Sequence, residues 1–220
     1  MAIEIYWGSG SPFSWRVLLA LEHKQVEYQS HLLQFSKGEH KSPDYLALNP
    51  RGEVPTLRDD TVVVRESIAI LAYLERRFPD RPLFGATPAA TGAVWQRVME
   101  SALHLDGTAD AFILPIYFGR LEAEADQVRA AVPLIHTELG RIDSALGQRH
   151  WLCGEALSAA DIATYPMVRS VLRAASKPTA VGFEDGLAQL GQRYPAVGAW
   201  MARIEALPYY ERTFPPHWRG

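Results

Sequence analysis

"GSGSPFSWR", residues 8–16, decides how the chain begins. It follows the apolar run Ile3-Glu4-Ile5-Tyr6-Trp7, which reads as a strand. It precedes Trp15-Arg16-Val17-Leu18-Leu19-Ala20-Leu21, the apolar side of a helix predicted from Pro12 to about Lys24. Serine followed by proline is a sound helix start on its own, since the hydroxyl accepts from a free N–H and proline lacks one. The junction has a second property. It turns unpaired N–H groups and the positive helix end outward, where an anion is stabilised. In βαβ thiol–disulfide enzymes this place carries C-x-x-C. Here Ser11 and Ser14 stand in the spacing S-P-x-S. Such a junction can stabilise a thiolate but does not own one, so the thiol must come from outside.

Working outward, Glu27–Leu33 is a second strand candidate and Pro43–Leu48 a short helical turn ended by Asn49-Pro50. Pro55–Leu57 and Val62–Val64 flank a hairpin signal, Arg58-Asp59-Asp60-Thr61. Glu66 to about Arg77 has helical spacing and stops before Pro79. After Asp80 the breakers of Arg81–Pro88 read as a linker, and beyond them helical periodicity dominates. Long helices are expected from about Pro88 to Gly119, kinked or interrupted at Pro115, and from about Glu122 to Leu146. Shorter ones follow at Ala159–Arg173, Phe183–Gln192 and Ala196–Leu207. The fold class is therefore α+β in two domains: a small α/β domain over 1–80 and an all-helical domain over 88–220. In Leu157-Ser158-Ala159-Ala160-Asp161-Ile162, Ser158 and Asp161 form a capping box, with Leu157 and Ile162 as its hydrophobic staple. That explains Asp161 as a folding residue.

The chain has 220 residues, 24.5 kDa, a formal charge of -3 and a pI near 6.2. The mild acidity gives no electrostatic reason to expect nucleic acid. No apolar run reaches the roughly 18 residues that span a bilayer, and no signal-peptide layout opens the chain. A single cysteine, Cys153, excludes an internal disulfide and fits a reducing, cytoplasmic setting. Gly8-Ser9-Gly10 is not a dinucleotide loop: its third glycine would fall at Phe13, and Glu27 begins a strand rather than ending one. No phosphate loop is present, and none of the seven histidines pairs at metal-ligand spacing on a helix, so no metal is expected.

Taken in order, S-P-F-S-W-R-V, Gly38–Pro43, Asn49–Leu57, Arg65–Ile70 and Ser158–Asp161 resemble a cytosolic glutathione S-transferase over essentially the whole chain. The serine type resembled is that of the plant phi, tau and zeta classes and many bacterial members. The resemblance implies a thioredoxin-like first domain, an all-helical second domain, detoxification chemistry and a homodimer. It also implies glutathione as co-substrate and a small-molecule electrophile as partner, with no nucleic acid and no membrane. By the same resemblance Ser11 bonds the glutathione sulfur and Phe13 lies beside it. The Val54 main chain pairs with the cysteinyl backbone, and Pro55 is an expected cis-proline that presents it. Glu66 and Ser67 hold the γ-glutamyl end, and His40 and Lys41 lie near the glycine carboxylate. Two positions depart from the pattern. Glu53 stands where related plant classes usually carry glutamine, and an ionised carboxylate cannot donate. Phe13 occupies the place of a cysteine in the zeta S-S-C motif, which counts against the zeta isomerase activity.

The chemistry is consistent with the residues themselves. Glutathione carries two carboxylates, an ammonium and a thiol. Ser67 opens a helix and suits a carboxylate, while Glu66 can pair the ammonium. On their own they would be a plain helix start, and Lys41 a solvated surface lysine. A thiol with a pKa near 8.5 is about 3% thiolate at pH 7, and lowering it by roughly two units takes about 2.7 kcal/mol. One charge-assisted hydrogen bond supplies about 1.5–3 kcal/mol and a helix N-terminus about 0.3–1. The thiolate gain is offset by a fall in nucleophilicity of about eightfold. Most acceleration must therefore come from holding the electrophile near the sulfur. The pocket for it is expected between Phe13 and the helices after Pro88, with Leu105, Thr108, Phe112, Tyr165 and the aromatic tail Tyr209, Phe214 and Trp218 as candidates. Each of these is equally an ordinary core residue. His104 and Asp106 are polar on an apolar helix and could shape the pocket, meet a partner subunit or face solvent. Two alternatives to conjugation stay open: a glutathione-dependent isomerase or dehalogenase, and a non-catalytic binding or regulatory protein of the same fold.

Overall fold

The computed structural model describes residues 3–219. Two compact units emerge: the chain up to Leu83 together with Pro208 onward, and Phe84–Leu207.

The first unit runs β1 (Ile3–Trp7), α1 (Pro12–Lys24), β2 (Tyr28–Leu32), α2 (Pro43–Leu48), β3 (Thr56–Asp59), β4 (Val62–Arg65) and α3 (Ser67–Arg77). The strands form one mixed sheet in the order β2-β1-β3-β4, with β1 parallel to β2 and antiparallel to β3, and β3 antiparallel to β4. This is a thioredoxin-like arrangement. Ile3 and Ile5 of β1 and Leu57 of β3 are buried, as strand alternation requires. The polar strand β2 lies at the edge, where its side chains stay wet. Helix α1 packs beside α3 and ends at Gln25, whose φ of 54° stops the helix. Its last residue, Lys24, is buried. The ammonium donates to the carbonyls of Phe78 (2.9 Å), Asp80 (3.4 Å) and Arg81 (3.3 Å) and pairs with Glu75 at 2.7 Å. A buried cation with every direction answered is tolerable, and here it closes the C-terminal end of α3.

The tail from Pro208 groups with this first unit rather than with the helices before it. The last residues of the expected 88–220 domain thus lie elsewhere, for a packing reason. The Trp15 indole N–H donates to Thr213 Oγ1 at 2.9 Å, and the rings of Tyr210, Phe214 and Trp218 stand 5.9, 5.8 and 5.4 Å from that of Trp15. A short helix, α10 (Tyr210–Thr213), carries Tyr210 and Thr213, a 3-10 turn at Pro216–Trp218 carries Trp218, and Arg212 pairs with Glu22 at 2.7 Å.

The second unit is all-helical: α4 (Pro88–Glu100), α5 (Gly107–Tyr117), α6 (Ala125–Leu146), α7 (Ala159–Ala175), α8 (Leu190–Arg193) and α9 (Pro195–Glu205). The expected break at Pro115 does not occur there, for that proline sits inside the last turn of α5. The irregularity falls between α4 and α5, where Ser101–Asp106 widen into a π-helical turn. The helix expected over Phe183–Gln192 is replaced by a 3-10 turn at Leu187–Gln189 and the four-residue α8, after left-handed residues at Gly182, Asp185 and Gly186. Helix α7 forms the centre of this unit. Its capping box is present, and Asp161 does more than cap. Oδ2 accepts from Ser158 N (2.9 Å) and Oγ (2.8 Å), while Oδ1 accepts from Leu152 N and Trp200 Nε1, both at 2.9 Å. Among the described residues no helix is long and apolar enough to cross a membrane.

Candidate functional site

Strand register gathers the site. Tyr6 of β1 lies opposite Thr56, and Thr56 opposite Arg65. Beyond that row β1 leads out to Ser11, the chain enters β3 from Val54-Pro55, and β4 leads out to Glu66-Ser67. On the other side Trp7 lies beside Leu32, so the segment after β2, carrying His40 and Lys41, leaves at the same end. Four separate segments therefore converge on one end of the sheet, spaced by strands about 5 Å apart. The order β1-β3-β4 sets the sequence Ser11, Val54/Pro55, Glu66/Ser67 across that end.

Ser11 is the N-cap of α1, and its Oγ accepts from Ser14 N at 3.2 Å. Its hydroxyl proton is left to donate to a ligand. The first turn of α1 holds no acidic residue, so the positive helix end is not neutralised from within. Ser14 behaves differently: it is buried, and its Oγ accepts from Gly8 N at 3.2 Å. Ser14 fixes the turn and Ser11 faces out. The half-buried Phe13 lies under the Arg16 guanidinium, 5.0 Å from its ring centroid.

The Val54–Pro55 peptide bond is cis. The loop before it is held by residues whose role the motif alone does not reveal. The Glu53 carbonyl accepts from the Tyr45 hydroxyl and from Asn49 Nδ2 (2.8 Å), and Asn49 Oδ1 accepts from Arg51 N at 3.2 Å. Tyr45 and Asn49 are both buried. The Glu53 side chain is exposed. Lys41 Nζ donates to the Arg51 carbonyl at 3.0 Å and lies over Gly52, whose φ of 61° and 2.8 Å clearance from the His40 carbonyl exclude a Cβ. The His40 and Lys41 segment is thus fastened to the Val54 loop. The His40 ring meets Phe35 edge-on at 5.1 Å, and its Nδ1 is buried with no hydrogen-bond partner among the described residues.

Glu66 caps α3 with φ 65° and ψ 117°, a conformation that costs a non-glycine residue about 1–3 kcal/mol and concentrates at ligand-holding positions. Its side chain is exposed, while Ser67 is buried at the first helical position. The end of the sheet thus offers a carboxylate, a helix N-terminus, a loop holding a cis-proline, an outward hydroxyl and a tethered lysine.

The electrophile candidates fare differently. Leu105, Phe112 and Tyr165 are 1%, 0% and 0% exposed. They are packed in the core and offer no surface to a ligand, and Tyr165 OH instead donates to Glu205 at 3.0 Å. Asp106 is buried and His104 exposed, and Thr108 Oγ1 donates to the His104 carbonyl at 3.0 Å. His104 lines an open groove with Arg97, Glu100, Glu138 and Arg141. Of the aromatic tail, Tyr209 is buried, and Phe214 and Trp218 pack on Trp15. Apolar character at helical spacing cannot separate a lining residue from a core residue. No group of three or more metal-ligating side chains occurs among the described residues.

Comparison with known proteins agrees with this fold. Residues 10–77 match the family described as Glutathione S-transferase, N-terminal domain, and residues 105–208 match Glutathione S-transferase, C-terminal domain. The chain belongs to the glutathione S-transferase family: it is a glutathione transferase, and glutathione is its co-substrate. Glutathione S-transferase A of Pleuronectes platessa is 32% identical, over 98% of this chain and 92% of that protein. Maleylacetoacetate isomerase of Pseudomonas aeruginosa is 31% identical, over 79% of this chain and 82% of that protein. The crystal structure of a glutathione S-transferase from the Antarctic clam Laternula elliptica superimposes with a TM-score of 0.82 at 32% identity, covering 100% of this chain and 94% of that one.

Proposed function

We propose that glutathione lies across the end of the sheet with its thiolate at Ser11 and attacks a small electrophile. The observation that carries this reading is the strand register, which brings the ends leading to Ser11, Val54-Pro55 and Glu66-Ser67 to one end of the sheet. Glu66 pairs the γ-glutamyl ammonium, and Ser67 with the N–H groups of α3 holds the γ-glutamyl carboxylate. The Val54 main chain pairs with the cysteinyl backbone, Pro55 shapes that loop, and Lys41 and His40 take the glycine carboxylate. Ser11 Oγ donates to the sulfur, and the N-terminus of α1 adds its positive end. The exposed Glu53 side chain acts against glutathione carboxylates and is offset by nearby cations such as Lys41 and Arg51. Phe13, one residue past Pro12, faces the electrophile. Retention on glutathione-agarose with turnover of a chloronitroarene is the expected result. Retention without turnover of any electrophile would favour a binding protein of this fold.

One observation favours a second reading, the 31% identity to a maleylacetoacetate isomerase. Isomerisation regenerates glutathione and conjugation consumes it, so the stoichiometry of glutathione loss separates the two. The enzyme works as a homodimer in the cytosol, as family membership and a single cysteine support. Sedimentation showing only a 24.5 kDa monomer at micromolar concentration would contradict the dimer.

A further inference from the structure

We infer that His217, near the end of the chain, is a positioning residue for Ser11, acting through the Ser9–Gly10 turn. The inference rests on Ser11 being the thiolate-stabilising group proposed above. Its own basis is the tail. Ser9 Oγ and His217 Nδ1 share a hydrogen bond of 2.6 Å. Gly10 has φ 83°, and a Cβ there would stand 2.7 Å from His217 Cε1 and 3.3 Å from Trp218 Nε1. The tail therefore lies directly on the two residues that precede Ser11. Trp218 is set by the perpendicular ring of Trp15, and Thr213 accepts from the Trp15 indole. Trp15 follows Ser14 in the first turns of α1, so the tail grips the serine junction from both sides.

The local chain does not replace this grip. Within the turn, Ser11 N donates to the Gly8 carbonyl at 3.2 Å and Gly8 N to Ser14 Oγ at 3.2 Å. Both bonds fasten Gly8 to the helix. The first also closes the Ser9–Gly10 turn through the backbone, but neither holds the Ser9 side chain. The side chain of His217 supplies that restraint from more than 200 residues away in sequence. His217 is exposed, so replacing it removes little apolar burial. A purely structural role would appear in stability, and a positioning role in the thiol.

The test uses the full-length protein and the variants His217→Ala, His217→Asn, Ser9→Ala and the Ser9→Ala/His217→Ala double. It reads the ultraviolet thiolate absorbance of bound glutathione from pH 5 to 10, with kcat and KM on a chloronitroarene and Tm alongside. His217→Ala should raise the thiol pKa by about half to one unit and lower kcat about three- to tenfold, the effect of one neutral hydrogen bond. Tm should move by no more than about 2 °C. Asparagine, whose amide reaches as far as Nδ1, should restore most of the loss. Ser9→Ala should match His217→Ala, and the double variant should be no worse than either. Full additivity would overturn the inference. So would an unchanged titration in both single variants while Ser11→Ala shifts it. If Ser11→Ala itself leaves the titration unmoved, the reading of Ser11 fails and the inference with it.

Discussion

Helices α1 and α7 both start on serine, and they use the start in opposite ways. At α7 the positive end is filled by the protein's own anion. Asp161 is fully buried and receives four donors, from Leu152, Ser158 twice and Trp200. At α1 no acid stands in the first turn, the Ser11 hydroxyl is half-exposed, and the second serine is turned inward to hold Gly8. One start is complete within the fold, while the other has no acid of its own in its first turn. The same helix-capping grammar thus serves stability in one unit and, under the function proposed above, ligand chemistry in the other.

The comparison breaks most visibly if α7 tolerates an empty start. Asp161→Ala orphans two backbone N–H groups and the Trp200 indole, each costing about 1–3 kcal/mol when buried. A loss of about 3–5 kcal/mol in urea unfolding is expected, with no effect on the glutathione KM of the protein that remains folded. A loss below about 1 kcal/mol would mean that the α7 start is not closed. At α1, Ser11→Ala should raise the pKa of bound glutathione by about one to two units, since about 1.5–3 kcal/mol of thiolate stabilisation disappears. Ser14→Ala should move that titration less and stability more, by about 1–2 kcal/mol, because Gly8 N loses its buried acceptor. The reverse pattern would exchange the roles of the two serines.

Glu66 sharpens the contrast further, because two causes can be separated at one position. Glu66→Ala should raise the glutathione KM about tenfold with little change in kcat, as expected for loss of ground-state binding. Glu66→Gly loses the same carboxylate but accepts φ 65° without strain, and it should gain back stability while keeping the raised KM. An unchanged KM in both variants would remove Glu66 from the site.

Much of this was legible in the sequence because it is local. The helix starts at Pro12, Pro43, Pro88 and Ser158 are written in capping residues and prolines, and the β3–β4 hairpin in its turn residues. The thioredoxin-like sheet follows from the family resemblance, and the order of elements is consistent with it. What stayed hidden depends on contacts between distant residues. Tyr45 and Asn49 read as a short helix and its stop, yet their side chains hold the Glu53 carbonyl. The aromatic tail reads as candidate pocket lining within an all-helical domain, but Trp15 is its partner. The left-handed backbone of Glu66 carries no signature, since glutamate rarely adopts it. The π-helical turn at Ser101–Asp106 has no breaker within it to announce it.

The far end of α1 supplies the smallest effect and a third way of treating charge at a helix end. His23 sits in the last turn, where a cation would ordinarily be favoured. Burial is the main cause holding it neutral, with Lys24 and Arg81 adding repulsion, and its pKa falls from 6.5 to about 4. In that state Nδ1 pairs with the Tyr209 hydroxyl at 2.9 Å, another tie between α1 and the tail. Because the folded pKa lies below the unfolded one, the unfolded chain binds the proton first on acidification. Stability from this group is therefore full above about pH 6.5, declines as pH falls toward 4, and is flat below that. The ring keeps some contact with solvent, so screening reduces the full linkage to about 1–2 kcal/mol. Thermal unfolding at pH 7.5, 6, 5 and 4 measures it. His23→Gln keeps a hydrogen-bonding group without a titrating one, and it should flatten this part of the acid limb while leaving the pH dependence of the glutathione thiol in place. An acid limb of the same depth in His23→Gln would assign it to the carboxylates instead.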